Sequence, residues 1–273
     1  MGEPIRIAMV GGGAMGGALI DGFRGQLIDD RRVQVRVVEA DQQRAETWQG
    51  QEGVEVTSLS IAVADADVVV LAVKPHQILE VLQEVAPVLP ESTTVVSIAA
   101  GIPLSAMHGR LGDRRAVIRT MPNTPTRIGR GVIGLAAGPG CAPEQVSLVK
   151  RLLEKVAVVF ELPEEQLDAL TATSGSGPAY VFYLAEAMRR GAEELGLPTQ
   201  MAGELVAETL AGAAELLRRE PMDAQTLRES VTSKGGTTAA ALAVFDAADM
   251  RHTIAQAMRA NSDRAREMAD EFR

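Results

Sequence analysis

Residues 6–23 read RIAMVGGGAMGGALIDGF, and no other stretch narrows the choice of fold as far. Residues 7–10 are an unbroken apolar run, the pattern of a short strand buried on both faces. Gly11, Gly13 and Gly16 follow in G-x-G-x-x-G spacing, with Gly12, Ala14 and Met15 between them, and residues 18–23 continue as a helix. In that setting the first glycine permits a tight turn, the second admits a pyrophosphate to the backbone, and the third lets helix and strand pack closely. The order strand, glycine turn, helix predicts the first unit of a dinucleotide-binding α/β domain. The next apolar run, residues 33–38, ends at Glu39. An acidic residue about 20 positions beyond the glycines bonds the ribose hydroxyls of NAD and repels the 2′-phosphate of NADP. A solvated strand end is the simpler alternative for Glu39, and Arg44 stands close enough in sequence to offset the repulsion. The chain therefore leans towards NADH and leaves NADPH open.

Further strand-like runs occupy residues 68–73, 95–98, 116–120, 132–136 and 156–160, with a helical pattern over 78–88 among the segments between them. Alternation of this kind predicts a doubly wound, Rossmann-type sheet. From Glu164 the strand-like runs cease. Alanine- and leucine-rich amphipathic segments follow at about 178–195, 200–219, 223–231, 237–247 and 252–271. The expected organisation is a dinucleotide-binding domain over 1–163 and an all-helical substrate and dimerisation domain over 164–273. Several of these helices are apolar on more than one face, more surface than thin helices can bury alone, so a helical dimer interface is expected.

A net charge of −9 argues against nucleic acid as a partner. The single cysteine, Cys141, excludes an internal disulfide and suits a reducing cytoplasm. No apolar run reaches the roughly 20 residues of a membrane helix, and the chain enters its first strand too early for a signal peptide. The histidines, His76, His108 and His252, lie apart from other chemical groups. There is no zinc-type cysteine and histidine spacing and no G-x-S-x-G elbow. Chemistry then has to come mainly from a cofactor, with hydroxyl and backbone groups placing the substrate.

The second informative stretch is residues 231–246, VTSKGGTTAAALAVFD. Thr232, Ser233, Thr237 and Thr238 surround Gly235 and Gly236, and residues 239–245 read as a buried helix. Free N–H groups and the positive end of the helix dipole make that start a carboxylate or phosphate site, or else an ordinary helix cap. Between the two ends, Ala72, Val73, Lys74 and Pro75 close one strand, Ile98, Ala99, Ala100 and Gly101 close another, and Asn123 lies in the proline-stiffened RTMPNTP loop.

The blocks GGGAMG (11–16), LAVKP (71–75), SIAAG (97–101), RTMPNTP (119–125), DALTATSGSGPAY (168–180) and LRESVTSKGGTTAAAL (227–242) together resemble pyrroline-5-carboxylate reductases. The resemblance implies reduction of the imine of 1-pyrroline-5-carboxylate to L-proline by NADPH or NADH. It implies that Thr238 bonds the ring nitrogen as proposed proton donor, and that Ser233, Gly235, Gly236 and Thr237 hold the substrate carboxylate. It places Glu164 near the proline site, and Gly11 to Gly16, Ala72 to Pro75 and Ile98 to Ala100 around the cofactor, to which the strand-end and loop readings above add Glu39 and Asn123. It also implies interlocked homodimers that often assemble into decamers. Three departures stand out. Residues 57–60 read TSLS where many members carry an asparagine, Glu39 counts against the NADPH preference common in the family, and Lys234 stands where proline is frequent. β-Hydroxyacid dehydrogenases and imine reductases share the layout, but the former need a lysine in the long inter-domain helix, and none lies between Lys155 and Lys234. A non-enzymatic dinucleotide sensor would have no use for the SKGGTT loop.

Overall fold

A computed structural model describes residues 2–272. The strands are β1 (Ile5–Val10), β2 (Leu27–Ile28), β3 (Arg31–Val38), β4 (Val54–Val56), β5 (Val68–Leu71), β6 (Thr94–Ser97), β7 (Val117–Met121), β8 (Gly131–Ala137) and β9 (Ala157–Glu161). Helices α1 (Ala14–Phe23), α2 (Gln42–Trp48), α3 (Leu59–Val63), α4 (Ile78–Val85), α5 (Leu104–Leu111), α6 (Pro143–Leu153) and α7 (Leu167–Leu170) alternate with them. Only helices follow: α8 (Gly177–Glu194), α9 (Thr199–Arg219), α10 (Ala224–Ser230), α11 (Thr237–Ala247) and α12 (Met250–Asp270).

Among the described residues the strands form one sheet in the order β2-β3-β1-β5-β6-β7-β8-β9, with β4 also paired to β3. β1, β3, β5, β6 and β7 run parallel, so their carboxyl ends share one edge. The chain leaves β1 towards β3 on one side and later returns to β5 on the other. The glycine turn after β1 thus sits at the reversal of strand order, where open α/β sheets take ligands. Both faces are covered. Ile5, Ile7 and Met9 of β1 pack with Leu19, Ile20 and Phe23 of α1, while Ala8 and Val10 pack with Ile78 and Leu82 of α4. Each such buried side chain contributes about 1.5–3 kcal/mol, and burial on both faces is why β1 reads as an unbroken apolar run.

β8 is antiparallel to β7, while β9 is parallel to β8, so the sheet is not uniformly parallel. Two short strands, β2 and β4, add to the edge. β2 and β3 are joined by Asp29 and Asp30, both at positive φ (50° and 61°), the conformation of a tight hairpin turn.

Two compact units emerge. One runs to Ser176 and takes up the chain again from Asn261; the other is Gly177–Ala260. The helical character begins at Glu164, as the sequence suggests, but residues 164–176 remain packed on the sheet. Leu167 is buried, and a Cβ on Gly134 of β8 would strike Leu167 and Leu170. α12 belongs to both units, and its last turns lay Ala269 and Phe272 against the first. In the second unit α8 and α9 pack together, yet only Ala202 and Val206 are buried between Gly177 and Ala260. α11 forms as expected, but it is not a buried helix within one chain: none of its residues is buried, and Val244 and Phe245 are exposed. No helix among the described residues is long and apolar enough to cross a membrane.

Candidate functional site

The glycine turn is built by close approach. Gly11 adopts φ +102° and donates its N–H to Val38 O at 2.8 Å. A Cβ there would lie 2.7 Å from Ala72 O, and one on Gly16 would strike Gly11 O. Any side chain at either position pushes α1 off the sheet. Gly13 differs. It is the N-cap of α1, has no side chain to cap it, and a Cβ built on it meets nothing within 4 Å. The start of α1, at Ala14 and Met15, is therefore left to an anion from outside, as a dinucleotide pyrophosphate requires. The residues present fit such a cofactor.

Glu39, just past β3, closes the side of this turn. Its Oε2 accepts from Gly12 N–H at 2.8 Å, and its Oε1 accepts from Asp41 N–H and from Arg44 Nη2, both at 2.9 Å. Burial alone would push its carboxyl up. The bonds from Arg44, Asp41 and Gly12 outweigh that and hold it down at about 2. The Glu39 side chain is 5% exposed and that of Arg44 52%, so Arg44 is the group that reaches solvent. Beneath the turn lies Trp48, the chain's one tryptophan. It is buried, its Nε1 has no hydrogen-bond partner, and it limits the space at Gly12 and Gly17. Local pattern assigns no role to Trp48; its one signal is a large aromatic at the end of the helix after Glu39.

The neighbouring strand ends continue the edge. Ala72 donates to Val10 O at 2.8 Å, Val73 follows, the exposed Lys74 donates its N–H to Gln77 Oε1 at 3.2 Å, and Pro75 opens a short helical turn. Ile98 donates to Leu71 O at 3.2 Å, and Ala99 to Ser97 Oγ at 3.3 Å; Ala100 and Gly101 complete that loop. Asn123 is held inside the protein. Its Nδ2 donates to Ser174 O at 3.0 Å and its Oδ1 accepts from Val132 N–H at 2.9 Å. The structure thus gathers the expected cofactor set at the carboxyl edge, with the Asn123 amide engaged at both ends.

Ser233, Gly235, Gly236, Thr237 and Thr238 lie in the second unit. Gly235 takes φ +72° and Gly236 caps α11 with no side chain of its own; it donates its N–H to Ser233 O at 3.0 Å, and the Ser233 hydroxyl stands where a Cβ on Gly236 would lie. Thr237 and Thr238 are exposed in its first turn. Glu164 lies in the first unit. Its Oε1 accepts from Leu104 N–H at 2.8 Å and from Arg119 Nη1 at 2.9 Å. Arg119 also lies 3.9 Å from Asp168, whose other oxygen is 3.9 Å from Arg266 of α12. Among the described residues no cluster of histidine, cysteine, aspartate and glutamate could hold a metal.

Residues 164–268 match the family model described as pyrroline-5-carboxylate reductase dimerisation, and residues 6–101 match that of NADP oxidoreductase, coenzyme F420-dependent. The pyrroline-5-carboxylate reductase of Pseudomonas aeruginosa is 40% identical over 98% of both chains. The chain belongs to the pyrroline-5-carboxylate reductase family. The Corynebacterium melassecola reductase is 36% identical over 96% of this chain and 98% of its own. Among solved structures, the Coxiella burnetii reductase superposes with a TM-score of 0.89 at 34% identity, covering 97% of this chain and 98% of that one. A Plasmodium falciparum pyrroline carboxylate reductase with NADP bound shares the fold, with a TM-score of 0.84 at 24% identity, covering 97% and 98%.

Proposed function

We propose that the chain reduces the C=N bond of 1-pyrroline-5-carboxylate to L-proline with NADH or NADPH. The observation that carries this reading is the near full-length match to reductases of that name. The uncapped start of α11 supports it. A bound reduced nicotinamide supplies the hydride. The chain's own groups bind and orient. Ser233 and the backbone of Gly235, Gly236 and Thr237, at the positive end of the α11 dipole, take the substrate carboxylate. Fixing that end fixes which ring carbon is presented for reduction. The Thr238 hydroxyl bonds the ring nitrogen. An imine that arrives protonated needs no strong general acid, which suits a site furnished with hydroxyls.

The cofactor is held at Gly11, Gly12, Gly13, Ala14, Met15 and Gly16, along Ala72 to Pro75 and Ile98 to Ala100, with Glu39 beside the adenosine ribose. Glu39 and Asp41 against Arg44 leave that corner one negative charge in excess, so NADH is used at least as well as NADPH. The exposed apolar faces of the second unit, among them Phe182, Tyr183 and Leu205, suit a homodimer, and light scattering separates that from a decamer. We place the enzyme in the cytoplasm, where a lone cysteine stays reduced. The test is stoichiometric proline formation from the imine with loss of reduced nicotinamide absorbance. Absence of proline with either cofactor would falsify the assignment.

A further inference from the structure

The loop between β6 and α5, residues 98–103, carries proposed cofactor contacts at Ile98 to Ala100, and its far end is fastened by a residue from elsewhere. Glu164 Oε1 accepts the N–H of Leu104, the first residue of α5, at 2.8 Å. A carboxylate there satisfies an orphan N–H and meets the positive end of the helix dipole. Midway, Gly101 takes φ +79°, and a Cβ on it would lie 3.3 Å from Met268 Cβ of α12. Ile102 and Leu104 are buried. The path from Ala99 to Leu104 is thus set between Ser97, Met268 and Glu164.

Glu164 is in turn aimed by Arg119. That side chain rises from inside β7 and is 9% exposed, and its Nη1 lies 2.9 Å from the same Glu164 oxygen. A guanidinium so buried is tolerated only when its charge is met. Here Glu164 and, more distantly, Asp168 meet it.

We propose that Arg119 and Glu164 are positioning residues for the cofactor loop, and that Glu164 acts on cofactor geometry rather than on the imine. This rests on the reading that residues 98–100 touch the cofactor. The experiment measures, for the full-length wild type, Arg119→Met, Arg119→Lys, Glu164→Gln and Ala100→Leu, the Kd of reduced nicotinamide by fluorescence, together with kcat and the KM of the imine.

For Arg119→Met and Glu164→Gln we expect the cofactor Kd to rise about 10-fold and kcat to fall about 10- to 100-fold. The imine KM should stay within about twofold. Arg119→Lys, which keeps the charge, should recover part of the loss. A raised imine KM at unchanged cofactor Kd would place Glu164 on the substrate and overturn the proposal. If Arg119→Met fails to fold, Glu164→Gln carries the test, since the neutral amide loses the ion pair with Arg119 that aims its oxygen at Leu104. Ala100→Leu should also weaken the cofactor; if it does not, the loop does not touch the cofactor, and the proposal falls while imine turnover by the wild type still stands.

Discussion

Replacing Glu39 by glutamine keeps the shape of the side chain and removes its charge. The carboxylate receives three donors: the Gly12 and Asp41 N–H groups and the Arg44 guanidinium. Glutamine has one oxygen to offer them, and its NH2 turns a donor towards a donor. At least one N–H of the turn loses its acceptor. A carboxyl held at about 2 in place of 4.5 corresponds to about 3 kcal/mol, at about 1.4 kcal/mol per tenfold. Arg44 is half exposed and water screens its share, so the expected loss near pH 7 is roughly 1–2 kcal/mol. The pH dependence follows from the depressed folded pKa. The contribution is complete above the unfolded value of 4.5 and drains away as the pH falls towards about 2. Urea unfolding of wild type and Glu39→Gln without cofactor, near pH 7 and near pH 3, should show a gap that shrinks by about half or more. Equal stability near pH 7, or a gap indifferent to pH, would refute the claim that this charge braces the glycine turn.

Thr238→Ala should lower kcat by about 10- to 1,000-fold and leave cofactor affinity unchanged, since one transition-state hydrogen bond is lost; wild-type turnover would remove Thr238 from the mechanism. Gly13→Val should abolish cofactor binding in calorimetry and keep the wild-type melting curve, because a Cβ there meets no protein atom within 4 Å. Unchanged affinity would sink the pyrophosphate assignment. Light scattering at micromolar concentration should report a dimer or larger, given the exposed Val244 and Phe245, and a monomeric mass would contradict the interface. Glu39→Ser should move the ratio of kcat/KM values towards NADPH; a wild type preferring NADPH a hundredfold would mean that Arg44 governs the corner.

The parts legible in the sequence are those written in local pattern. The run at residues 7–10, the three glycines and the amphipathic periods after Glu164 each encode their element within one or two turns of chain. The antiparallel course of β8 was not legible, because the run at 132–136 is equally apolar in either direction. Packing is hidden for a related reason: residues 164–176 are helical in composition, yet Leu167 is buried against Gly134 of β8, a contact no local pattern announces. The polar connections were hidden by distance along the chain. Glu39 meets Gly12, Asn123 meets Ser174, and Glu164 meets Arg119, and no spacing rule announces such pairs. Arg119 did leave one trace, a charge inside the buried strand β7 (a buried cation has to be answered by something).

α12 starts in the second unit and ends in the first, and its order of synthesis follows. Among the described residues every strand of the nucleotide-binding unit lies before residue 162, yet Met268 and Phe272, which pack on that unit, come after the whole helical unit. A nascent chain can assemble the sheet early, but it carries an uncovered patch beside Gly101 until residues 261–272 have been made. Completion of the nucleotide-binding half therefore waits on the synthesis of the helices in between, and fragments ending before Asn261 should emerge as sticky, half-finished domains.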